Sequence, residues 1–157
     1  MARPAIPTWF FTLVVVRMGH RFLVVRENKH QQQWYLPTGR VEQGEELIYA
    51  ARRATYEKTG ISIVIEGIVR IEHTPNESGS RVRFIFVARP IDDTPPKSTP
   101  DTHSLEAAWV SLDELRYLSL RGEEVRELFS YIADSGQIFP LDILAFEGQE
   151  LPKRPSY

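Results

Sequence analysis

Two apolar segments near the N-terminus have the composition of buried β-strands. The segments Trp9–Arg17 and Arg21–Arg26 are rich in valine, phenylalanine and leucine, residue types that favour extended backbone. The connection between them, Met18-Gly19-His20, is short and contains a glycine, as a tight turn requires. The pattern therefore predicts an N-terminal β-hairpin.

A helical period replaces the strand pattern between Glu45 and Thr59. The stretch before it contains Pro37, Gly39 and Gly44, which exclude a regular helix there. Acidic residues stand at the start of the period and Gly60 follows its end, as expected for the two ends of a helix. The apolar positions at helical spacing are Leu47, Ala50, Ala51 and Ala54. We predict one amphipathic helix here.

The rest of the chain is predicted as strands, loops and a closing helix. The predicted strands are Ile61–Ile65, Ile68–Glu72, Arg81–Ala88 and Glu106–Val110. Four prolines make residues 90–100 a loop, and Ser111 can cap a short helix that runs through Leu115. The amphipathic segment Glu123–Ala133 is predicted as the terminal helix. This order of elements predicts an α/β or α+β sandwich with a mostly mixed sheet between helices.

The composition fits one globular domain. The chain has 157 residues, of which 42% are hydrophobic and 25% charged, both ordinary values for a folded protein. We predict a single domain over residues 1–157, with a tail from about residue 139 that is loosely placed. Apolar residues suggest that part of this tail packs: Leu141, Ile143, Leu144 and Phe146.

Charge and cysteine content narrow the classes of partner and chemistry. The formal net charge of −2 gives no reason to expect a DNA or RNA duplex or an anionic membrane as partner. The absence of cysteine excludes disulfides, thiolate metal ligands and a cysteine nucleophile. The longest apolar run, Trp9–Val16, is shorter than the roughly 20 residues that span a bilayer. No targeting segment is visible, so we expect a cytoplasmic protein. A homodimer is compatible with the sequence.

The segment from Gly39 to Ile61 resembles the Nudix box, the signature of the Nudix hydrolase family. Six residues occupy the places of the box with its spacing: Gly39, Glu45, Arg53, Glu57, Gly60 and Ile61. The lead-in Trp34–Thr38 and the later segment Glu106–Leu115 are also similar to the family. The resemblance implies a Nudix-type α/β/α sandwich with a mixed central sheet. It also implies a small-molecule nucleotide or another phosphorylated ligand, and hydrolysis of nucleoside diphosphate derivatives.

The resemblance also implies site residues and a cofactor. Nudix enzymes hold Mg²⁺ or Mn²⁺ through glutamates on the box helix and a backbone carbonyl just before the box glycine. By position, the metal ligands would be Glu57 and the carbonyl of Thr38. The arginine that orients the carboxylates would be Arg53, and Glu45 is the third candidate catalytic residue.

Two positions depart from the family pattern, and two interpretations of them stay open. Ala54 and Lys58 stand where the box has glutamates, although Ala54 also fits a helix that packs close to a sheet. In the first interpretation, metal ligands come from elsewhere, and the candidates are Glu42, Glu45, Glu46, Glu72, Asp101 and Glu106. In the second, Lys58 replaces the cation as a fixed positive charge, helped by Arg53 or Arg40, and the protein binds phosphate without activating water.

Several side chains are candidates for substrate contacts. Glu106 occupies the place from which some relatives read a purine base, and a base could stack on Phe10, Tyr35 or Phe86. Arg40 and Lys58 are the candidate phosphate ligands. Two further arginines, Arg81 and Arg83, alternate along a strand, which favours a solvated strand face over a phosphate pocket. The four histidines lack metal-ligand spacing and are predicted at the surface. A scaffold that binds a protein partner through the 139–146 tail is a third hypothesis.

Overall fold

The computed structural model describes residues 2–153 as a mixed sheet with two α-helices and three short 3₁₀ turns. The strands are β1 Thr8–Met18, β2 Arg21–Arg26, β3 Trp34–Tyr35, β4 Thr38–Arg40, β5 Ile63–Asn76, β6 Gly79–Pro90 and β7 Glu106–Ser111. The helices are α1 Leu47–Thr59 and α2 Glu124–Ala133, and the 3₁₀ turns are His30–Gln32, Glu114–Tyr117 and Leu141–Ile143. The predicted hairpin and the helices predicted at Glu45–Thr59 and Glu123–Ala133 are confirmed.

Strand β1 is the centre of the sheet and makes it mixed. It runs parallel to β6 through nine residue pairs, from Thr8–Ser80 to Val16–Ala88. Its other edge pairs antiparallel with β4 through Phe11–Leu13 and with β2 through Arg17 and Met18. The strand order is β3-β2-β1-β6-β5, with β7 on β2. The predicted mixed sheet is confirmed.

The two helices cover opposite faces of the sheet. Successive side chains of a strand point to opposite faces, so Leu13 and Val15 join one core cluster while Val14 and Val16 join the other. Helix α2 packs on the first face and α1 on the second, where Ala51 is fully buried. The α/β/α arrangement follows from this alternation.

Some elements differ from the sequence prediction at their ends. The segments predicted as two strands, Ile61–Ile65 and Ile68–Glu72, form one strand with two irregularities in its register. The turn that joins β5 to β6 is confined to Glu77 and Ser78, because cross-strand pairing holds the flanking residues extended. The helix predicted after Ser111 is the 3₁₀ turn Glu114–Tyr117, and Ser111 Oγ accepts the backbone N–H of Glu114.

The tail after α2 returns to the sheet. Phe139 and Ile68 exchange two backbone hydrogen bonds of 2.8 Å each, and Gly67 leaves the space that Ile138 fills. Leu141 and Leu144 pack against the core on the α1 face. No helix within the described residues 2–153 is long and apolar enough to cross a membrane.

Candidate functional site

A pocket of about 390 Å³ opens beside the last two turns of α1. Its lining comes from β1, β3, β4, β6 and α1 and from the loops around residues 28–30 and 102–103. Seven cationic side chains line it: Lys29, Arg40, Arg53, Lys58, Arg81, Arg83 and Arg121. Three carboxylates face the same space: Glu27, Glu42 and Glu57. Carboxylates outside the lining pair with Arg53 and Arg83, but the lining itself is mainly cationic, which favours an anionic ligand.

The guanidinium of Arg53 is fixed by three neighbours. Its Nε and Nη2 donate to the two carboxylate oxygens of Glu45 at 2.6 and 2.9 Å, and its Nη1 donates to Glu57 Oε2 at 3.1 Å. Nη2 also donates to the carbonyl of Arg40 at 2.9 Å. Four of its five N–H bonds are thus directed at the protein. Arg53 is therefore placed to orient Glu57 and the loop after β4.

The Glu45–Arg53 pair also affects the titration of both groups. The hydrogen bonds from Arg53 lower the pKa of Glu45, and the backbone N–H of Glu42 assists, while partial burial opposes them. Glu45 in turn raises the pKa of Arg53. Both groups therefore keep their charges at neutral pH, and the loop that leads into α1 is held to the helix by a charge-assisted contact.

The last turn of α1, which carries Glu57 and Lys58, is held by the loop of residues 97–104. Lys97 Nζ donates to the carbonyl of Glu57 at 2.6 Å, and Ser104 Oγ donates to the carbonyl of Lys58 at 2.7 Å. The backbone N–H of Lys97 adds a 2.8 Å bond to the carbonyl of Thr59. Carbonyls at a helix C-terminus have no partner within the helix, so this loop satisfies them and holds the backbone that carries both side chains.

Lys58 shares one buried carboxylate with Arg121. The side chain of Glu27 is only 7% exposed, and its Oε1 accepts Arg121 Nη1 at 3.0 Å. Lys58 Nζ lies 3.9 Å from Glu27 Oε2, which is beyond hydrogen-bond distance. Burial lowers the pKa of Lys58, whereas the charge of Glu27 opposes that shift. One negative charge thus faces two positive ones at the base of the pocket.

Two arginines of β6 extend the pocket along the sheet. Arg83 donates to Glu72 at 2.7 Å and to both oxygens of Glu124, which also accepts the hydroxyl of Tyr35. Arg81 lies over the ring of Phe11, with its guanidinium carbon 4.9 Å from the ring centroid. Arg81 is exposed, in keeping with the predicted solvated strand face, whereas Arg83 is half-buried between Glu72 and Glu124. Both arginines also line the pocket.

The predicted phosphate ligands Arg40 and Lys58, together with Thr38 and Tyr35, line the pocket. Tyr35 is buried, and Arg121 lies 4.7 Å from its ring centroid. Two predicted site residues do not line the pocket. Glu45 contacts Arg53 instead, and Glu106 pairs with Arg26 at 3.5 Å on the neighbouring strand β2.

The structure does not bring the other candidate stacking residues to the pocket. Phe86 is fully buried in the core, so it has no face free for a base. Phe10 lies on the opposite face of β1 from Phe11 and contacts Phe84. The aromatic side chain of β1 that lines the pocket is Phe11, one residue from the predicted position. The register of a strand decides which of two neighbouring residues faces a site.

The carboxylates of the pocket do not fit a resident Mg²⁺ or Mn²⁺. Such an ion needs several converging oxygen ligands, and the described residues contain no group of three or more aspartate, glutamate or histidine side chains placed to hold one. Glu27 is neutralised by Arg121 and Lys58, and one oxygen of Glu57 is used by Arg53.

Six carboxylates were proposed as replacement ligands, and among them Glu42 lines the pocket, Glu45 pairs with Arg53 and Glu46 is exposed outside the pocket. The other three pair with cations. Glu72 bonds to Arg83, Asp101 to Lys97 and Glu106 to Arg26, and none of the three lines the pocket. Because no three carboxylate or histidine side chains of the described residues converge, the first interpretation of the altered box finds no ligand set there. All four histidines are exposed, as predicted.

Ala54 has a packing role that explains its small size. It is 3% exposed, and a Cβ on Gly39 would overlap the Cβ of Ala54. Strand β4 and helix α1 therefore meet through a glycine and an alanine, which allows their backbones to approach closely. Thr12 pairs with Gly39 in the sheet, and its buried hydroxyl has no hydrogen-bond partner among the described residues.

Sequence reasoning missed Glu27, Phe11 and Arg121 as residues of the site. No motif links these residues, and the bonded pair Glu27 and Arg121 is separated by 94 residues of the chain. The only signal was an acidic residue directly after a buried strand, which is Glu27 following β2. This position alone does not identify a site residue; the burial of the Glu27 carboxylate beside Arg121 does.

Comparisons with known proteins show the family to which the fold belongs. The family model of the NUDIX domain matches residues 10–131. Phosphatase NudJ of Escherichia coli O1:K1 is 32% identical over 134 residues, which cover 83% of this chain and 86% of that protein. A NUDIX hydrolase structure from Nitrosomonas europaea superposes with a TM-score of 0.73 at 28% identity, covering 89% of this chain and 98% of that one.

A human relative is similar over a smaller share of its length. The 8-oxo-dGDP phosphatase NUDT18 of Homo sapiens is 33% identical over 118 residues, which are 73% of this chain. The match covers 35% of the human protein, so this chain corresponds to about a third of that relative.

Proposed function

The chain belongs to the NUDIX family, and on that premise we propose that it hydrolyses a phosphoanhydride bond of a nucleoside diphosphate derivative bound in the pocket beside α1. The observation that carries the proposal is the cationic lining around Glu57. Arg40, Lys58 and Arg121 line the same pocket as Glu57, whose carboxylate is held by Arg53. Two relatives named as phosphatases support a hydrolase of this class.

The reaction would be attack of water on a phosphorus atom of the anhydride. Glu57 Oε2 is held by Arg53, while Oε1 has no partner among the described residues. Oε1 would accept the proton of the attacking water as the new P–O bond forms. The bond from that phosphorus to the bridging oxygen breaks, and the leaving phosphate takes a proton from solvent. The cationic side chains would stabilise the negative charge that develops on the phosphoryl oxygens.

The substrate class follows from the charge and size of the pocket. A volume of about 390 Å³ accommodates a compact ligand, and the excess of cations suits a diphosphate. The human relative's name makes 8-oxo-dGDP one candidate. Phe11 and the guanidinium of Arg81 offer a flat surface at the edge of the pocket, on which a base could stack.

A panel of nucleotides tests the proposal. Purified protein is incubated with nucleoside diphosphates, 8-oxo-dGDP, nucleotide sugars and dinucleotides, with Mg²⁺, with Mn²⁺ or with chelator, and the products are separated by anion-exchange chromatography. We expect release of a nucleoside monophosphate, reduced at least 100-fold in Glu57→Gln and unchanged in the control Glu150→Gln, whose side chain is exposed. Equal rates for the wild type and Glu57→Gln would show that Glu57 does not act as the base in the reaction.

A second function, binding without turnover, is favoured by the lack of a metal ligand set in the described residues. In that case Lys58 and its neighbours hold a phosphorylated ligand and no bond is broken. The two functions differ in a simple readout. A binder shows a ligand-induced rise in melting temperature with chelator present and no product in any condition of the panel.

A further inference from the structure

The ammonium of Lys58 has donors that the protein leaves unused. Its nearest described carboxylate oxygen is Glu27 Oε2 at 3.9 Å, and no described residue accepts a hydrogen bond from Nζ. The side chain is only 23% exposed. A partly buried ammonium with three N–H donors and no acceptor is costly, and a ligand oxygen in the pocket would satisfy it.

The local charge balance points to an anion. Glu27 supplies one negative charge between Lys58 and Arg121, so this group of three carries a net positive charge at the base of the pocket. Lys29 lies close enough for its charge to act on Lys58 as well. Among the described residues, Arg40 and Lys29 have no ion-pair partner. The pocket thus contains more positive charge than its own carboxylates neutralise.

The backbone of Lys58 and the guanidinium of Arg121 are held in place before a ligand arrives. The carbonyl of Lys58 is held by Ser104, and Arg121 is anchored by Glu27 and by the backbone bond of its N–H to the carbonyl of Trp34. Arg121 also stacks on the ring of Tyr35. A site that is held in place before binding loses little entropy when a ligand binds.

We propose that Lys58, together with Arg121 and their shared counter-ion Glu27, forms a built-in cation site that binds the diphosphate group of the ligand directly, so that binding needs no divalent metal. This inference deepens the proposed function and rests on it for the identity of the ligand. It concerns binding, so it can fail or stand independently of whether a bond is cleaved. The free diphosphate anion, and not its magnesium complex, is then the species that binds best.

Isothermal titration calorimetry with inorganic pyrophosphate tests the inference on the full chain. In chelator, we expect saturable binding to the wild type, and added Mg²⁺ should leave the affinity unchanged or weaken it, because the metal competes for pyrophosphate in solution. Lys58→Met should weaken binding at least 10-fold in both conditions. The matched control Lys153→Met removes one positive charge from the exposed tail and should bind within twofold of the wild type.

Two outcomes would overturn the inference: binding that is lost in chelator and restored by Mg²⁺, or a Lys58→Met variant that binds like the wild type. Lys58→Arg retains the charge and should keep binding within about fivefold, which separates a lost charge from a damaged fold. If Lys58→Met fails to fold, the wild-type comparison with and without metal still decides. Pyrophosphate binding without nucleotide turnover would refute the proposed hydrolysis alone, whereas turnover with metal-dependent binding would refute this inference alone.

Discussion

Lys58 Nζ lies 3.9 Å from Glu27 Oε2, and this contact joins the last turn of α1 to the residue that follows β2. The lysine stands at a position where the Nudix box has a glutamate, and the glutamate that faces it is outside the box. A lysine ammonium therefore occupies the part of the pocket in which the box glutamate would face a ligand. The predictions below follow from this arrangement and from the contacts that support it.

Removal of the shared counter-ion should destabilise the protein. Glu27→Gln leaves Lys58 and Arg121 facing each other without the buried negative charge between them. Both cations are partly exposed, so we expect a loss of about 1–2 kcal/mol in the free energy of unfolding. Urea denaturation measures it, and added pyrophosphate should recover part of the loss. An unfolding midpoint equal to that of the control Glu150→Gln would contradict this.

A side chain at the box glycine should disturb the contact between β4 and α1. In Gly39→Ala the new methyl group would overlap the Cβ of Ala54, and overpacking of this kind costs about 1–3 kcal/mol. We expect a lower melting temperature by differential scanning calorimetry. Gly122→Ala is the matched control, because a Cβ there meets only Glu124 Cγ at an ordinary 3.8 Å. Equal melting temperatures for the two variants would show that β4 and α1 can separate at no cost.

Loss of the Lys97 side chain should loosen the end of α1. Lys97→Met removes the 2.6 Å bond to the carbonyl of Glu57 and the contact with Ser104, and each buried partner left unsatisfied costs about 1–3 kcal/mol. Amide hydrogen exchange at residues 56–60 should accelerate by at least 10-fold, and exchange in α2 should change less. The control is Lys153→Met. Uniform acceleration across both helices would instead indicate a general loss of stability.

Asp101 should make stability depend on pH in the acidic range. The hydrogen bond from Lys97, with help from the backbone N–H of His103, lowers the pKa of Asp101 from 3.8 to about 2. Since the unfolded chain binds this proton more readily, the contribution of Asp101 is fully present above pH 3.8 and is lost as pH falls through about 2.

Urea unfolding of the wild type and of Asp101→Asn between pH 5 and 2 measures that contribution. We expect the stability of the wild type to fall more steeply across this window than that of Asp101→Asn. Only the wild type carries the carboxyl group whose pKa is lowered in the folded state. Parallel curves for the two proteins would show that Asp101 titrates alike in the folded and unfolded states.

Restoration of both box glutamates should create a metal site. Positions 54, 57 and 58 lie on one side of α1 and all three line the pocket, so Ala54→Glu with Lys58→Glu would place three carboxylates there. We expect Mn²⁺ or Mg²⁺ to raise the melting temperature of the double variant by several degrees and to leave the wild type unchanged. Pyrophosphate binding by the double variant should then require metal.

The single variant Lys58→Glu is the control for crowding at Ala54, which packs against Gly39. It should show a weaker metal effect than the double variant, because it adds one carboxylate beside Glu57 and not two. No metal effect in either variant would mean that the pocket around α1 has lost the geometry of a cation site.

Local patterns determined the elements of this protein. The valine-rich strands β1 and β2, the alanine face of α1 and the cap at Gly60, which has a left-handed conformation, were all predicted from the sequence. Such features depend on neighbours within about four residues, so one chain suffices to predict them. The box spacing likewise identified the family and placed Arg53 and Glu57 together, because a helix brings residues four apart to one side.

Contacts between distant segments decided the chemistry of the pocket. The parallel pairing of β1 with β6 brought Arg81 over Phe11, and the contact between Arg83 and Glu124 joined β6 to α2. The alternation of side chains along β1 placed Phe11, and not Phe10, at the pocket. The Glu27–Arg121 pair depends on a loop that returns after 94 residues. These contacts join residues that are far apart in the chain. They form only when the helices and loops pack on the sheet, so no local pattern predicts them. The sequence by itself determined which helix borders the site, and only the tertiary structure decided which charges meet there.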